Sequence, residues 1–148
     1  MGDVRVAAQA SIWYNSVARG DVNYIEVGER SNIQDGSVLH VTNDEPCIVG
    51  PDVTVGHNAN LHACIIEAGC LIGIGAIVLS GAHIKKGCVI GAGAVVKEGT
   101  VVEEYSLVVG VPGTVKRRVS EDTYQTNLKW VQKYIELAAL HRRRYGSA

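Results

Sequence analysis

The stretch "IEAGCLIGIGAIVLSGAHIKKGCVIGAGAVVKEGTVVEEYSLV", Ile66 to Val108, decides the fold. Stepping by six from Ile66 meets Ile72, Val78, Ile84, Ile90, Val96, Val102 and Val108, each an aliphatic residue suited to a strand. Three places after each of the first six stands a glycine: Gly69, Gly75, Gly81, Gly87, Gly93 and Gly99. Four places after each of the series come small residues, Cys70, Ala76, Ala82, Cys88, Ala94, Thr100 and Ser106, then Pro112. A period of six fits neither a 3.6-residue helix nor a hairpin sheet with its varied turn spacing. Six residues make one short strand and a bend, and three such units bring the chain back to its starting side. Each coil then stacks on the last at about 4.8 Å, the spacing of paired strands. The pattern predicts a parallel β-helix with branched residues pointing in and small residues at the tapering corners.

Upstream the phase persists with two defects. Val27, Ile33 and Leu39 keep the period, as do Val49, Val55 and Leu61, but Leu39 to Val49 is a step of ten and Leu61 to Ile66 a step of five. The four extra residues are expected in a surface loop at Thr42–Pro46, "TNDEP", which is polar and contains proline. Val6 and Ile12 begin an earlier, less regular coil, and Val17–Ile25 breaks the pattern. After Val119 the chemistry changes. Ser120 is a plausible N-cap, acids follow it, and Arg142, Arg143 and Arg144 suit the C-terminal end of a helix. Tyr124, Leu128, Val131, Ile135 and Ala138 recur at helical spacing, and Trp130, Tyr134 and Leu137 form a second stripe, so the helix is expected to touch both its own body and a neighbour. The expected division is residues 1–119 as β-helix and 120–148 as a C-terminal amphipathic helix packed on it.

Composition agrees with a narrow, repetitive interior: 47% of residues are hydrophobic, only 5% aromatic, and 17 of 148 are glycine. The length suits one domain. A formal net charge of −1 gives no field that favours nucleic acid or an acidic membrane surface. With no secretory signal ahead of the first motif and no apolar run of ~18 residues, a soluble, cytoplasmic protein is expected. Four cysteines do not make a disulfide scaffold. Cys70 and Cys88 are one coil apart at the small inward position and are expected to stack, inert, in the core. Cys64, two residues from His62, is expected to stay off any metal.

Three of the five histidines crowd into "HVTNDEPCIVGPDVTVGHNANLH", residues 40–62. His40 and His62 each follow an inward aliphatic, Leu39 and Leu61, and lie 22 residues apart, one coil plus the four-residue loop. They therefore stand one above the other, facing outward, close enough to share a cation whose nitrogen bonds are ~2.0–2.1 Å. His57 sits one face earlier and projects from a different wall. It could join that cation only from a neighbouring molecule in a threefold assembly. Two histidines from one chain and one from the next would leave a fourth position for water, the arrangement of a catalytic zinc. His83 and His141 have no partner at such a spacing and are read as structural.

The stretches "SIWYNSVARGDVNYIEVGERSNIQDGSVLHV" and "VGHNANLHAC" resemble the γ-class carbonic anhydrases and their hexapeptide-repeat relatives, with the histidines, "RGD" and "NIQD" in order and spacing. The likeness runs from Ile12 through "GVPGTVKR" to the terminal helix. It implies a left-handed β-helix and a homotrimer with metal at each subunit interface, held by His40 and His62 of one subunit and His57 of the next. It also implies that Arg19 and Asp35 pair across that interface with Asp21 in the same network. Asn32 and Gln34 would line the metal pocket, with Tyr134 joining from the helix. The metal would be zinc, with iron or cobalt equally suited to imidazole. The implied reaction is reversible hydration of carbon dioxide to bicarbonate, in which a metal makes hydroxide available near neutral pH and Gln34 orients it.

Three features depart from the family. Val22 stands where active members carry a catalytic glutamate. Asn43 lies in a short loop where they have a long acidic one bearing a proton-shuttle glutamate, with Asp44 and Glu45 as the nearest substitutes. The chain also begins about one coil later than typical relatives. An acyltransferase or thioesterase on the same coil is the rival enzyme reading, and a weakly active assembly subunit is the third, favoured by the missing glutamates.

Overall fold

In the computed structural model, which describes residues 1–146, the chain winds as a parallel solenoid of three walls followed by one helix. The first wall stacks Ser11–Ile12, Asn32–Ile33, Thr54–Val55, Leu71–Ile72, Val89–Ile90 and Ser106–Val109. The second stacks residues 17–19 on Val38–His40, Asn60–His62, Ile77–Val78 and Val95–Val96. The third stacks Gly2–Val6, residues 25–27, Cys47–Val49, Ile65–Ile66, His83–Ile84 and Val101–Val102. The stepped aliphatic series from Ile66 to Val108 fills the interior, with every member at most 3% exposed.

Register shows where the repeat is irregular and why. Ile66 pairs with Ile84 and Ile84 with Val102, so the lower coils take eighteen residues each. Above them Val6 pairs with Val27, Val27 with Val49, and Val49 with Ile66, giving coils of 21, 22 and 17 residues. All of the surplus and deficit falls at one corner, between the second and third walls. There the expected break at Val17–Ile25 is a single strand, Val17–Val27, that bends from one wall to the next. Gly20 sits in the bend, where a Cβ would lie 2.5 Å from the Asp3 carbonyl oxygen, so no larger residue fits. One coil down, Thr42–Pro46 closes on itself: the Glu45 amide donates to Thr42 Oγ1 at 3.0 Å and the Thr42 amide to the Glu45 carbonyl at 3.1 Å.

At the regular corners the turn three residues after an inward aliphatic is left-handed. Glycine serves it in the lower coils, with Gly75 at φ 67°, while Asn15 and Asn58 serve it above at φ 58° and 56°. Asparagine tolerates that conformation because its short amide bonds locally. The repeat ends sooner than its spacing suggests. Thr114–Arg118 turns back antiparallel on Ser106–Val109, so Pro112 is exposed in the reversal rather than packed at an inward corner, and Thr100 is only half-buried. Proline has no N–H to extend a ladder, which suits the point where the coil stops.

The helix Glu121–Tyr145 is capped by Ser120, whose Oγ accepts from the Thr123 amide at 3.3 Å, and has Arg142, Arg143 and Arg144 in its last turn. It lies on the first wall against Ser11–Ile12, Asn32–Ile33 and Thr54–Val55, burying Asn127 and Val131. The expected second stripe is divided. Tyr134 turns inward and meets Trp13 edge-to-face, centroids 5.3 Å apart, while Trp130 stays 45% exposed. Aromatic edges prefer such T-shaped contact, and Trp13 offers one on the first coil. Among the described residues no helix is long and apolar enough to cross a membrane.

Candidate functional site

The irregular corner carries the first group. Arg19, His40 and His62 are direct neighbours on consecutive rungs of the second wall. His40 Nδ1 lies 3.2 Å from His62 Nε2, and His40 Nε2 lies 3.2 Å from Asp21 Oδ1. Arg19 forms an ion pair with Asp21, and His62 Nδ1 lies 2.8 Å from Ser80 Oγ. Burial acts to raise the pKa of the Asp21 carboxyl. Hydrogen bonds from Arg19, its own backbone amide and His40 outweigh it and hold the group below its ordinary value. Asp21 is therefore a carboxylate, and it accepts from His40 Nε2–H. His40 Nδ1 is on the other side of the ring, facing His62.

The second group sits across the second wall. His57 Nδ1 lies 3.1 Å from Asp35 Oδ2, so its proton is on Nδ1 and Nε2 is free on a side chain 41% exposed. Behind it Gln34 Nε2 donates to Asn32 Oδ1 at 3.1 Å, and Asn32 Nδ2 to Thr54 Oγ1 at 3.0 Å. All three are buried, Asn32 to 1%, Thr54 to 3% and Gln34 to 6% exposure. Tyr134 closes this side from the helix. Desolvation raises its phenol pKa and the Asp35 charge adds to the rise, so it remains a donor at neutral pH. Gln34, Thr54, His57 and Tyr134 form the polar end of a groove of about 440 Å³ whose floor is apolar, including Leu71 and Val89.

As its place one face earlier implies, His57 stands apart from His40 and His62, and the residues form two half-sites. His57 and His62 are separated by the width of a wall, five residues or at most about 16 Å at roughly 3.3 Å per residue. Among the described residues no three His, Cys, Asp or Glu side chains of one chain are grouped to hold a metal ion. Within the chain Arg19 engages Asp21, and Asp35 engages His57, so the expected Arg19–Asp35 pairing is not made there. The donor set nonetheless fits a metal on its own chemistry. Each of the three imidazoles has one nitrogen beside an oxygen of Asp21, Ser80 or Asp35, the usual support for a ligating histidine, while the other nitrogens of His40 and His62 face each other. The 3.2 Å between His40 Nδ1 and His62 Nε2 is close to the roughly 3.4 Å edge of a tetrahedron with zinc–nitrogen bonds of ~2.0–2.1 Å.

Sequence reasoning missed Thr54, Trp13 and Ser80. Thr54 follows Asn32 by 22 residues, the same offset as His40 and His62, and Ser80 follows His62 by eighteen, so the repeat held a signal for both. Trp13 meets Tyr134 only through the packing of the helix, which no spacing reveals. Among the departures, Val22 is 53% exposed, and the Asn43 carbonyl accepts from Asn23 Nδ2 at 3.2 Å. His83 is bound to Glu67 at 2.7 Å, and His141 Nδ1 lies 2.9 Å from the Tyr14 hydroxyl; both are partnered away from the two half-sites. Cys64 is buried against Cys47, whose hydrogen bond, with burial, drives its thiol pKa up, and Cys70 is raised in the same way by Cys88. Cys64 and Cys70 are therefore held as thiols in the core, whereas the hydrogen bond from Cys70 lowers the pKa of Cys88.

A solenoid of six-residue units with histidines at an outward corner defines a hexapeptide-repeat protein, and the family pattern "Bacterial transferase hexapeptide (six repeats)" matches residues 63–98. The probable carbonic anhydrase of Methanocaldococcus jannaschii is 49% identical over 93% of this chain and 87% of its own length. Gamma carbonic anhydrase 1, mitochondrial, of Arabidopsis thaliana is 47% identical over 45% of this chain and 26% of its own length. A solved hexapeptide transferase family protein from Anaplasma phagocytophilum superposes with a TM-score of 0.89 at 38% identity, covering 93% of this chain and 81% of that one. The chain belongs to the γ-class carbonic anhydrase family.

Proposed function

We propose that the protein reversibly hydrates carbon dioxide to bicarbonate as a homotrimer, with a metal held at each subunit interface by His40 and His62 of one chain and His57 of the next. The observation that carries this reading is the 3.2 Å approach of His40 Nδ1 to His62 Nε2, two anchored nitrogens converging on one point. Zinc is the metal the donor set suits, with iron and cobalt accepted by the same imidazoles. When bound, it supplies a Lewis acid that makes hydroxide available near neutral pH.

The chain's own residues do the rest. Asp21 and Asp35 hold the His40 and His57 rings in their ligating tautomers. Gln34, fixed by Asn32, presents its amide to orient hydroxide or bicarbonate, and Tyr134 offers a phenol proton to the same space. Docking the His57 corner of one chain on the His40 corner of the next also brings Asp35 toward Arg19. One contact would then complete both the ligand set and the expected ion pair. Val22 leaves the position of the family's glutamate without a proton acceptor, which predicts slow turnover rather than loss of metal.

An acyl-transfer reading has one observation in its favour. The groove of about 440 Å³ beside His57 is far larger than carbon dioxide needs, and a 38%-identical structural relative is named a transferase. Elemental analysis of the purified protein, with stopped-flow carbon dioxide hydration and an acyl-CoA turnover assay, separates the two. Stoichiometric metal with hydration supports the first reading; acyl turnover indifferent to chelation supports the second.

A further inference from the structure

We propose that Thr54 is a positioning residue that fixes the Gln34 amide through Asn32. Its catalytic consequence rests on the hydration reading above. Ser11, Asn32, Thr54, Leu71, Val89 and Leu107 share one outward column of the first wall, rung upon rung. The first three members are polar and the last three aliphatic, so Thr54 stands at the change. Leu71, directly below it, has no polar atom in its side chain, and Asn32 is the neighbour that the Thr54 hydroxyl meets on the column.

Thr54 is held by its own strand. That strand pairs with Asn32–Ile33 on one side and Leu71–Ile72 on the other, and the Thr54 amide donates to the Cys70 carbonyl at 3.0 Å. Branching at Cβ restricts χ1 as well. The hydroxyl is therefore a fixed point for the two longer side chains that follow it. Asn32 Nδ2 donates to Thr54 Oγ1 at 3.0 Å, and this bond turns Asn32 Oδ1 toward Gln34 Nε2, 3.1 Å away. At 1% exposure Asn32 is out of reach of bulk water. A buried amide that loses its acceptor costs more than the bond itself, so without the hydroxyl Asn32 would turn to another partner. Gln34 would then lose the acceptor that fixes its last torsion, which for glutamine is broad rather than staggered. His57 is held by Asp35 instead, so Gln34 is the group at the polar end of the groove whose aim depends on Thr54.

The test separates aim from scaffolding. In protein labelled with nitrogen-15 at asparagine and glutamine, the Gln34 amide hydrogen that faces Asn32 should exchange slowly with deuterium. It should exchange rapidly in Thr54→Val, which keeps the branched shape, and slowly again in Thr54→Ser, which keeps the hydroxyl. With zinc bound per subunit unchanged, kcat/KM for carbon dioxide hydration should fall about 10-fold in Thr54→Val and recover in Thr54→Ser. In a Gln34→Ala background Thr54→Val should cost nothing further, because Thr54 acts through Gln34. An equal loss in that background, or a Gln34 amide still protected in Thr54→Val, would overturn the role of Thr54. A zinc-loaded wild type that hydrates no carbon dioxide would instead overturn the hydration reading, while amide exchange still decides whether Thr54 holds Gln34.

Discussion

His40 stands directly opposite His62 on adjacent rungs of the second wall, ring centroids 5.1 Å apart and planes at 61°. The pair is held from outside by Asp21 and from below by Ser80. That relationship separates these two histidines from the rest of the chain.

Single substitutions should sort the five histidines into two sets. His40→Ala, His57→Ala and His62→Ala should each lower zinc affinity by roughly 100-fold or more, beyond the 10- to 100-fold loss typical of a supporting residue. His83→Ala and His141→Ala should retain wild-type zinc, because Glu67 and Tyr14 hold those rings elsewhere. Asp21→Asn should fall between, at about 10- to 100-fold, since the amide keeps an acceptor for His40 but loses its charge. Elemental analysis and chelator competition give each value. Zinc retained in His62→Ala but lost in His83→Ala would invert the assignment.

Tyr134 predicts an alkaline effect whose sign can be worked out. Desolvation and the nearby Asp35 charge raise the folded-state pKa of its phenol above the ordinary value of about 10. Below pH ~10 the phenol is protonated in both states and its contribution to stability is complete. Above it the unfolded chain loses the proton first, so stability falls as pH rises through the folded-state pKa. Tyr134→Phe should flatten that decline, as measured by urea unfolding at several pH values from about 9 upward. An equal or steeper decline in the variant would show that the phenol is not held protonated.

Two glycines of neighbouring positions should differ in what they tolerate. At Gly73 a Cβ would sit 2.5 Å from the Ala92 amide nitrogen, backbone against backbone, so Gly73→Ala should cost about 1–3 kcal/mol. At Gly75 a Cβ meets nothing within 4 Å, and the strain is only that of φ 67°. Gly75→Ala should cost about 1–2 kcal/mol and Gly75→Asn much less, because asparagine visits that conformation. Asn58 already occupies the equivalent turn one coil above at φ 56°. Denaturant unfolding of the three variants ranks them, and a more costly Gly75→Asn than Gly75→Ala would refute the turn assignment.

The fold was legible because its driving force repeats: a buried aliphatic every six residues and a left-handed turn three residues later can be read without any long-range contact. The turns at Arg30, Asp52 and Tyr105 were less legible, because glycine is the signal and these positions hold φ of 62°, 57° and 54° without it. The His40–His62 pair was readable from its spacing of one coil plus a loop. The pairing of Arg19 with Asp21 within the chain was not, since it depends on how the strand Val17–Val27 bends at Gly20. The stacking of Cys47 on Cys64 was hidden because that coil is one residue short, which takes the two out of the eighteen-residue register. Helix packing was the least readable part: the stripe containing Trp130 and Tyr134 was split by Trp13, a contact made only in three dimensions.

The most direct test of a metal shared between chains is complementation in mixed trimers. His57→Ala subunits retain His40 and His62, and His40→Ala subunits retain His57, so neither parent trimer has an intact site. After co-refolding, each interface that joins the first kind of subunit's His40 corner to the second kind's His57 corner should hold all three ligands. Zinc bound per subunit should therefore rise above both parents, while the opposite interface, left with His62 alone, stays empty. If all three histidines instead served one chain, no mixture could restore a site. Zinc content no higher than either parent, in assemblies shown by mass to be mixed trimers, would contradict the shared site.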